Sequence, residues 1–466
     1  MSMISELALC GGTPIRTKSF PSQITTGEEE AQAAAAVIRS GRLSHFRGSW
    51  NPNFYGGEQI QALEQEWAKR FNVKHAISVN SATSGLIVAC GAIGLSPGDE
   101  VIVTPWSMSC SATAPLWWNA IPVFADIEYG EYCLSPESIE ERITERTKAI
   151  IVVDLFGQPY DPKINEIAKK YNLIVIEDAA QAIGSVYNKT ISVPNLLSYG
   201  ATHEDILLKT QYAGTLGDIG IYSLTHGKHL TSGEGGVIVT NDSDLAFKCQ
   251  LIRNHAEAVI NDMQDANADA GDAYAENMLG MNVRMTEVEA SIARCQLRKL
   301  DGFIESKQKN VKALDDAIID IPAITSSPIR ANCTHSYYVQ AFKWNRNKAD
   351  GLYRDKFIEA VKAELTPEEG RESESVPIGC GYIKPLYLFP LFQKEHLYGG
   401  TSYPFNLAPR SNMAENYGLG SCPVAENLWK EELFLWRLHS LPLTENDIDD
   451  VGKAFHKVWE LRKELK

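Results

Sequence analysis

The chain has 466 residues, with 44 Lys and Arg against 59 Asp and Glu, and a formal charge of −15. At roughly 100–200 residues per domain, this length predicts two to four domains, or one large and one small. The acidic balance argues against a nucleic-acid backbone or an anionic membrane surface as main partner, while 44% hydrophobic and 22% charged residues suit a globular protein with a sizeable core.

Met1–Cys10 carries Glu6 and no basic flank, which is not the pattern of a signal peptide. Seven short apolar runs rich in β-branched residues follow: Ala76–Val79, Val101–Thr104, Pro122–Ala125, Ala149–Val153, Leu173–Ile176, Ile219–Tyr222 and Val237–Thr240. Helical patterns at Thr83–Ile93, Pro136–Ile143 and Pro162–Tyr171 separate most of them. Such alternation predicts an α/β domain with a mostly parallel seven-stranded sheet covered on both faces. The last two runs are too close for a helical crossover, so that pair admits an antiparallel strand.

The uncharged stretch Val101–Ala125 holds Pro105, Pro115, Asn119 and Pro122, which a lipid-buried helix tolerates poorly. It reads as buried strand and loop. Two stretches read as insertions: Asn188–Gln211, polar and turn-rich, and residues 258–277, acidic and apolar-poor around Asp262–Asp272. Thr286–Leu314 reads as a long helix, and mixed strand and helix pieces continue to Lys466 as a smaller α+β domain. The expected division is an N-terminal arm at 1–30, a large domain at 31–309 and a small domain at 310–466. Nine cysteines without a C-x-x-C pair fit neither a disulfide framework nor a zinc site, and read as thiols of a reducing cytosol.

Three segments carry chemistry. In Ile77–Leu95 a strand runs into Ser81-Ala82-Thr83-Ser84 and then an apolar helix. Free N–H groups and the positive dipole end suit a phosphate there, and the same residues serve equally as an N-cap. In Leu173–Gly184, Asp178 stands at the carboxyl end of a buried strand, where open α/β sheets place ligands. A carboxylate there holds a ring nitrogen protonated, or caps a helix over Ala179–Gly184. In Ile221–Asp242, Lys228 follows a strand ending at Ser223 and precedes Gly233-Glu234-Gly235-Gly236. A lysine on that turn, beside glycines that admit another group, suits a Schiff base; alone, it reads as a solvated surface lysine.

Taken in order, the phosphate seat, the strand-end aspartate and the lysine before a glycine turn resemble the layout of a fold-type I pyridoxal 5'-phosphate (PLP) enzyme. The chain specifically resembles the DegT/DnrJ/EryC1/StrS family of sugar aminotransferases. The resemblance rests on LALCGGTPIR, NSATSGL, PGDEVIVTP, AIPVFADIE, DLFGQPYD, IEDAAQAIG, SLTHGKHLTSGEGG, GMNVRMTEVEASIARCQL and CPVAENL, and spans nearly the whole chain. It implies PLP as cofactor, with Lys228 as the lysine bonded to it and Asp178 facing its pyridine nitrogen. By the same resemblance Gln181 lies near its phenolic oxygen, and Ser223, Ala82 and Thr83 bind its phosphate. Asn282 matches the asparagine that reaches the neighbouring subunit's phosphate, which implies a homodimer with shared sites.

One departure concerns the residue stacked on the ring, aromatic in the family and Met108 here. Its polarizable sulfur can cover a ring face, or Trp106 rotates in. His335 and Tyr337 fall where the family brings small-domain residues toward substrate, with core or interface packing as the other reading. The implied activity is transfer of an amino group from glutamate or glutamine to a keto sugar or keto cyclitol, with a lean toward the cyclitol branch. The implied setting is cytoplasmic, with no metal, nucleic acid or membrane. Two alternatives compete. A sugar dehydratase of this fold replaces the lysine by histidine, and here Lys228 keeps the family spacing while His229 is adjacent. A non-catalytic cofactor- or sugar-binding regulator sits poorly with intact Lys228, Asp178 and Ser223.

Overall fold

The computed structural model describes residues 6–48, 52–192, 206–256, 278–394, 397–407, 417–437 and 442–465. The first nine strands are β1 (His75–Val79), β2 (Glu100–Val103), β3 (Ile121–Phe124), β4 (Thr147–Val153), β5 (Ile174–Asp178), β6 (Val186–Ser192), β7 (Ile206–Tyr212), β8 (Ile219–Ser223) and β9 (Gly236–Thr240). Seven of them form one sheet in the order β1-β9-β8-β5-β4-β2-β3. All are parallel except β9, which runs antiparallel to both β1 and β8. Each of the seven apolar runs is a strand, within two residues at either end. Every residue of β2, β8 and β9 is buried, as near-continuous apolar strands require when both sheet faces are covered.

Helix α1 (Glu28–Ser40) follows the N-terminal arm, and α2 (Glu58–Phe71) puts Ile60, Leu63, Trp67 and Phe71 into the core on one face of the sheet. Helix α3 (Ala82–Ala92) buries Leu86, Val88 and Ala89 in the core on the other. A long helix, Glu287–Ile318, starts on a capping box in which Thr286 and Glu289 exchange side-chain-to-backbone hydrogen bonds. Its first half packs Ala290, Ala293, Leu297 and Leu300 against the α2 face of the sheet, and its last turns place Leu314 and Ile318 in a second core. That core belongs to a four-stranded antiparallel sheet of β10 (Ile324–Ser326), β11 (Gln340–Trp344), β12 (Ile378–Cys380) and β13 (Leu433–Trp436). Helices Arg354–Ala363 and Glu445–Glu460 add Phe357 and Phe455 to it.

The arm joins this second core through Leu7 and Phe20. Glu364 accepts the N–H groups of Ala8 at 2.9 Å and Ile15 at 3.1 Å, and Arg16 pairs with Asp447 and Asp450 at 2.8 Å. The chain past residue 310 does not all stay with the smaller sheet. Leu386, Tyr387, Phe392, Phe405 and Leu428 are buried in the core of the larger one, where Phe124 of β3 meets Tyr387 and Phe392 at 5.5 and 5.2 Å between ring centroids. An edge strand of a two-faced sheet needs apolar cover, and this returning segment supplies it.

Of the stretch Asn188–Gln211, read as turn-rich, residues 188–192 and 206–211 lie in β6 and β7, which pair antiparallel from Val186↔Tyr212 to Ser192↔Ile206, and residues 193–205 lie outside the described residues. Residues 258–277 lie outside the described residues. The uncharged stretch Val101–Ala125 folds as β2, a loop, two short helices and β3. Among the described residues no helix is long and apolar enough to cross a membrane. All nine cysteines are unpaired and five are buried.

Two acids are buried beside the carboxyl edge of the large sheet. Glu177 accepts the N–H groups of Gly214 at 2.6 Å and of Leu216 and Gly217 at 2.8 Å. Asp154 accepts Tyr160 N–H at 2.9 Å through Oδ1, and its Oδ2 has no donor and adjoins Glu177. Two buried carboxyl groups share such a contact only through a proton. Burial raises both carboxyls; the three N–H donors pull Glu177 back, whereas burial and the Glu177 charge push Asp154 well above the ordinary range, so the proton belongs to Asp154. A raised carboxyl stabilises the fold most at pH values below its unfolded pKa and loses that contribution as pH rises to its folded value. Asp154→Asn keeps a donor toward Glu177 at every pH. It is therefore expected to gain stability relative to the parent protein as pH rises from about 5 to about 8. Urea denaturation across that range checks it, and a stability difference that does not change with pH would refute the shared proton.

Candidate active site

Strand register assembles the site. Gly236, first in β9, pairs with Val79 at the end of β1 on one side and with Ser223 at the end of β8 on the other. Asp178, last in β5, lies opposite Ile221 of β8 and Val153 of β4. The start of α3, Asp178 and the loop carrying Lys228 therefore share one edge of the sheet, at its carboxyl ends. A Cβ on Gly236 would stand 2.7 Å from the Ala82 nitrogen, so glycine is what lets β9 pass this close to the helix start.

Ser81 caps α3: its Oγ accepts Ser84 N–H at 3.1 Å and its carbonyl accepts Gly85 N–H at 3.0 Å. The N–H groups of Ala82 and Thr83 stand outside this cap, so the turn that caps the helix also has donors to offer an anion. Ser223 is 7% exposed, and among the described residues its hydroxyl oxygen receives only the long Thr225 N–H bond at 3.5 Å.

Asp178 is buried, with Ser111 Oγ donating to its Oδ2 at 2.8 Å and Ala180 N–H to its Oδ1 at 3.2 Å. It closes a turn instead of capping a helix, because residues 179–184 form successive turns. Burial raises the carboxyl, against the opposing pull of these two donors and of the Lys228 ammonium. A carboxylate so placed is a seat for a cation.

Lys228 is half-buried on the loop after β8, its Nζ 4.2 Å from the centroid of the Tyr338 ring. It borders a cavity of about 620 Å³ that also meets His226, His229, Lys307 and Thr25 of the arm. Gln181 is buried, accepts Phe156 N–H at 2.9 Å and donates to the Tyr382 hydroxyl at 3.2 Å. That bond anchors Phe156 at φ 62°, a conformation rare for an aromatic residue.

Trp106 does not swing over a ligand. It is fully buried, its indole N–H donates to Ile383 O at 2.7 Å, and its ring packs among Tyr132, Phe156 and Tyr382. Met108, two residues on, is 60% exposed. Asn282 is exposed and accepts from Arg284 Nε at 2.8 Å; its segment is tied to the end of β1 by Asn80 N–H donating to Val283 O at 2.9 Å.

His335 and Tyr337 line a different cavity, of about 20 Å³, with Tyr132 and Phe156. Their rings stack at 4.1 Å, Tyr337 N–H donates to His335 Nδ1 at 2.9 Å, and burial pushes the His335 ring down to about 3. Tyr337 takes φ 56°, and it is the next residue, Tyr338, that reaches Lys228. Sequence reasoning did not single out Ser111, Tyr338, Tyr382 or Lys307. Ser111 sits among other small hydroxyl residues with no periodicity to mark it, and the others come from segments distant in sequence.

Residues 26–406 match the DegT/DnrJ/EryC1/StrS aminotransferase family. The L-glutamine:2-deoxy-scyllo-inosose aminotransferase of Streptomyces kanamyceticus is 28% identical over 99% of this chain and 98% of its own. The spore coat polysaccharide biosynthesis protein SpsC of Bacillus subtilis is 28% identical over 93% of this chain and 95% of its own. Among solved structures, an aminotransferase from Psychrobacter cryohalolentis superposes with a TM-score of 0.74 at 27% identity, covering 95% of this chain and 99% of that one.

Trp106→Phe removes the indole donor and leaves the Ile383 carbonyl without it. The expected cost is about 1–3 kcal/mol of folding stability, read by urea denaturation; undiminished stability would show that the indole is not anchored there.

Proposed function

The chain belongs to the DegT/DnrJ/EryC1/StrS aminotransferase family, and we propose that it uses PLP to move an amino group from glutamine to a keto cyclitol. The Streptomyces kanamyceticus relative, an L-glutamine:2-deoxy-scyllo-inosose aminotransferase aligned along nearly all of both chains, supports that donor and acceptor. A keto sugar is the second reading, favoured by the polysaccharide-pathway relative from Bacillus subtilis. One observation carries the proposal: a buried carboxylate, a lysine and an open helix N-terminus share one sheet edge.

The donor set fits PLP. Asp178 offers a buried carboxylate to a cationic ring nitrogen, and the α3 start with Ser223 offers N–H and hydroxyl donors to a phosphate dianion. The close pass of Gly236 keeps that seat clear of side-chain atoms. Gln181, held by Phe156 and Tyr382, presents an amide toward a phenolic oxygen. Bound there, PLP supplies an electron sink for the carbon that loses its proton.

The chain's own groups do the rest. Lys228 would hold the cofactor, and its amine, once free, would take and return the proton of the reacting carbon as general base and then acid. Asp178 keeps the ring nitrogen protonated, while Ser223, Ala82 and Thr83 fix the phosphate. Met108, exposed on the loop after β2, would supply the cover for a ring face. Asn282, exposed at the edge of β1, reaches the phosphate of a second copy, which makes the working unit a homodimer. Residues 31–309 act as the cofactor domain, and the smaller sheet with the arm closes the cleft over Lys228. Donor and acceptor use the same site in turn, so the kinetics are ping-pong.

Lys228→Ala is expected to lose both the visible absorbance of a lysine-bound cofactor and all amino transfer from glutamine to a cyclitol ketone. A coloured, active variant would overturn the assignment. The parent protein's spectrum separates the competing readings: pyridoxamine-type absorbance alone favours a dehydratase, and a colourless protein favours a regulator. Asp178→Asn is expected to keep the visible absorbance and to slow transfer on the order of 10²–10³-fold, measured as kcat at saturating substrates; an unslowed variant would remove Asp178 from the chemistry.

A further inference from the structure

Lys307, on the long helix, is 6% exposed, and it borders both lobes of the cleft beside Lys228. One lobe, of about 620 Å³, it shares with Lys228 and His229; the other, of about 480 Å³, it shares with Tyr338 and Arg437. Nearby lysines of the same helix have counter-ions: Lys299 pairs with Glu30 at 2.5 Å and Lys309 with Glu445 at 2.9 Å. Among the described residues no carboxylate pairs with Lys307, and burial together with the Lys228 ammonium pushes it down to about 7.

The groups around it do not neutralise it. Lys228 carries the same sign. His229 donates Nε2–H to Ser336 O at 2.9 Å, its Nδ1 is buried without a partner, and burial and Lys307 hold its ring well below the ordinary imidazole range. Glu368, the buried carboxylate on the cleft wall, receives Gln23 N–H at 2.8 Å and faces Arg371 at 4.0 Å. A lysine held this low at a cavity wall is ready to take up its proton and pair when an anion enters from solution.

We propose that Lys307 binds the α-carboxylate of the amino donor in the Lys228 cleft and so determines which amines the enzyme accepts, a contact that rests on the transaminase reading above. Of the two substrates, a cyclitol ketone carries no anionic group. The amino acid carries its carboxylate on the carbon that bears the reacting amine, so the carboxylate must lie beside the place where Lys228 works. The other source of an anion, the phosphate of a nucleotide-linked keto sugar, sits several bonds from the reacting carbon.

The test uses the cofactor-loaded enzyme and its Lys307→Met and Lys307→Arg variants, with each half-reaction followed in single turnover. In Lys307→Met, apparent affinity for glutamine is expected to fall roughly 10- to 100-fold. The rate at saturation and the affinity for the cyclitol ketone stay near those of the parent, and Lys307→Arg recovers part of the loss. Calorimetric binding of glutarate, a carboxylate probe with no amine, is expected to weaken in parallel in Lys307→Met. Unchanged affinity for both glutamine and glutarate would overturn the proposal. So would a loss confined to a nucleotide-linked keto sugar, which would assign Lys307 to a phosphate. Failure of the transaminase reading looks different: the parent protein itself would lack the visible absorbance of a lysine-bound cofactor.

Discussion

Burying Asp178 at the end of β5 sets the terms for the structure around it. A carboxylate removed from water needs donors and a cation, and the fold supplies the Ser111 hydroxyl and the Ala180 N–H. These do not offset burial, which still raises the group. The acids beside it matter for the same reason. Were Asp154 ionised as well as Glu177, two further negative charges would crowd Asp178; the shared proton on Asp154 removes one of them. What remains is one buried carboxylate with an unmet demand for positive charge, near enough to Lys228 to feel its ammonium.

The candidate anion seat is built by an opposite device, from donors instead of a carboxylate. Gly236 pairs with Val79 and Ser223 at once, so the antiparallel strand β9 ties the helix start of α3 to the serine and lysine of the next loop. Local N–H and hydroxyl groups thus make a positive pocket in a chain whose net charge is −15. The long helix adds a second positive element. It packs on both cores, and the span between them brings Lys307 to the wall of the same cleft. The arm closes another side, held by Glu364 and by the pairing of Arg16 with Asp447 and Asp450.

Much of this was legible along the chain. Strands of four to seven residues announce themselves by unbroken apolar runs, and the short gap between β8 and β9 was enough to suggest an antiparallel member. Lys228, Asp178 and the Ser81–Ser84 turn stood out because each lies in a contiguous motif. Other features left no local trace. Residues 179–184 form turns rather than a helix, closed by Ala182 N–H on Ala179 O and Ser185 N–H on Ala182 O. In sequence Trp106 could cover the cofactor ring or pack in the core; it packs in the core, where Ile383, 277 residues away, fixes its indole. Leu386, Tyr387, Phe392, Phe405 and Leu428 follow the smaller sheet's first strands in sequence yet are buried in the larger core, with Tyr387 and Phe392 against Phe124 of the edge strand β3, a placement with no local sequence signal.

By itself, the sequence determined the strands, the cofactor-type motifs and the order in which they occur, because those depend on side chains within one turn or one strand. Tertiary structure alone decided that Tyr338 and not Tyr337 meets Lys228, that Ser111 serves Asp178, and that Lys307 lies unpaired in the cleft. Each of these joins segments tens to hundreds of residues apart. Such contacts follow from strand register and from which faces are buried together, and both are settled by the packing of the whole chain.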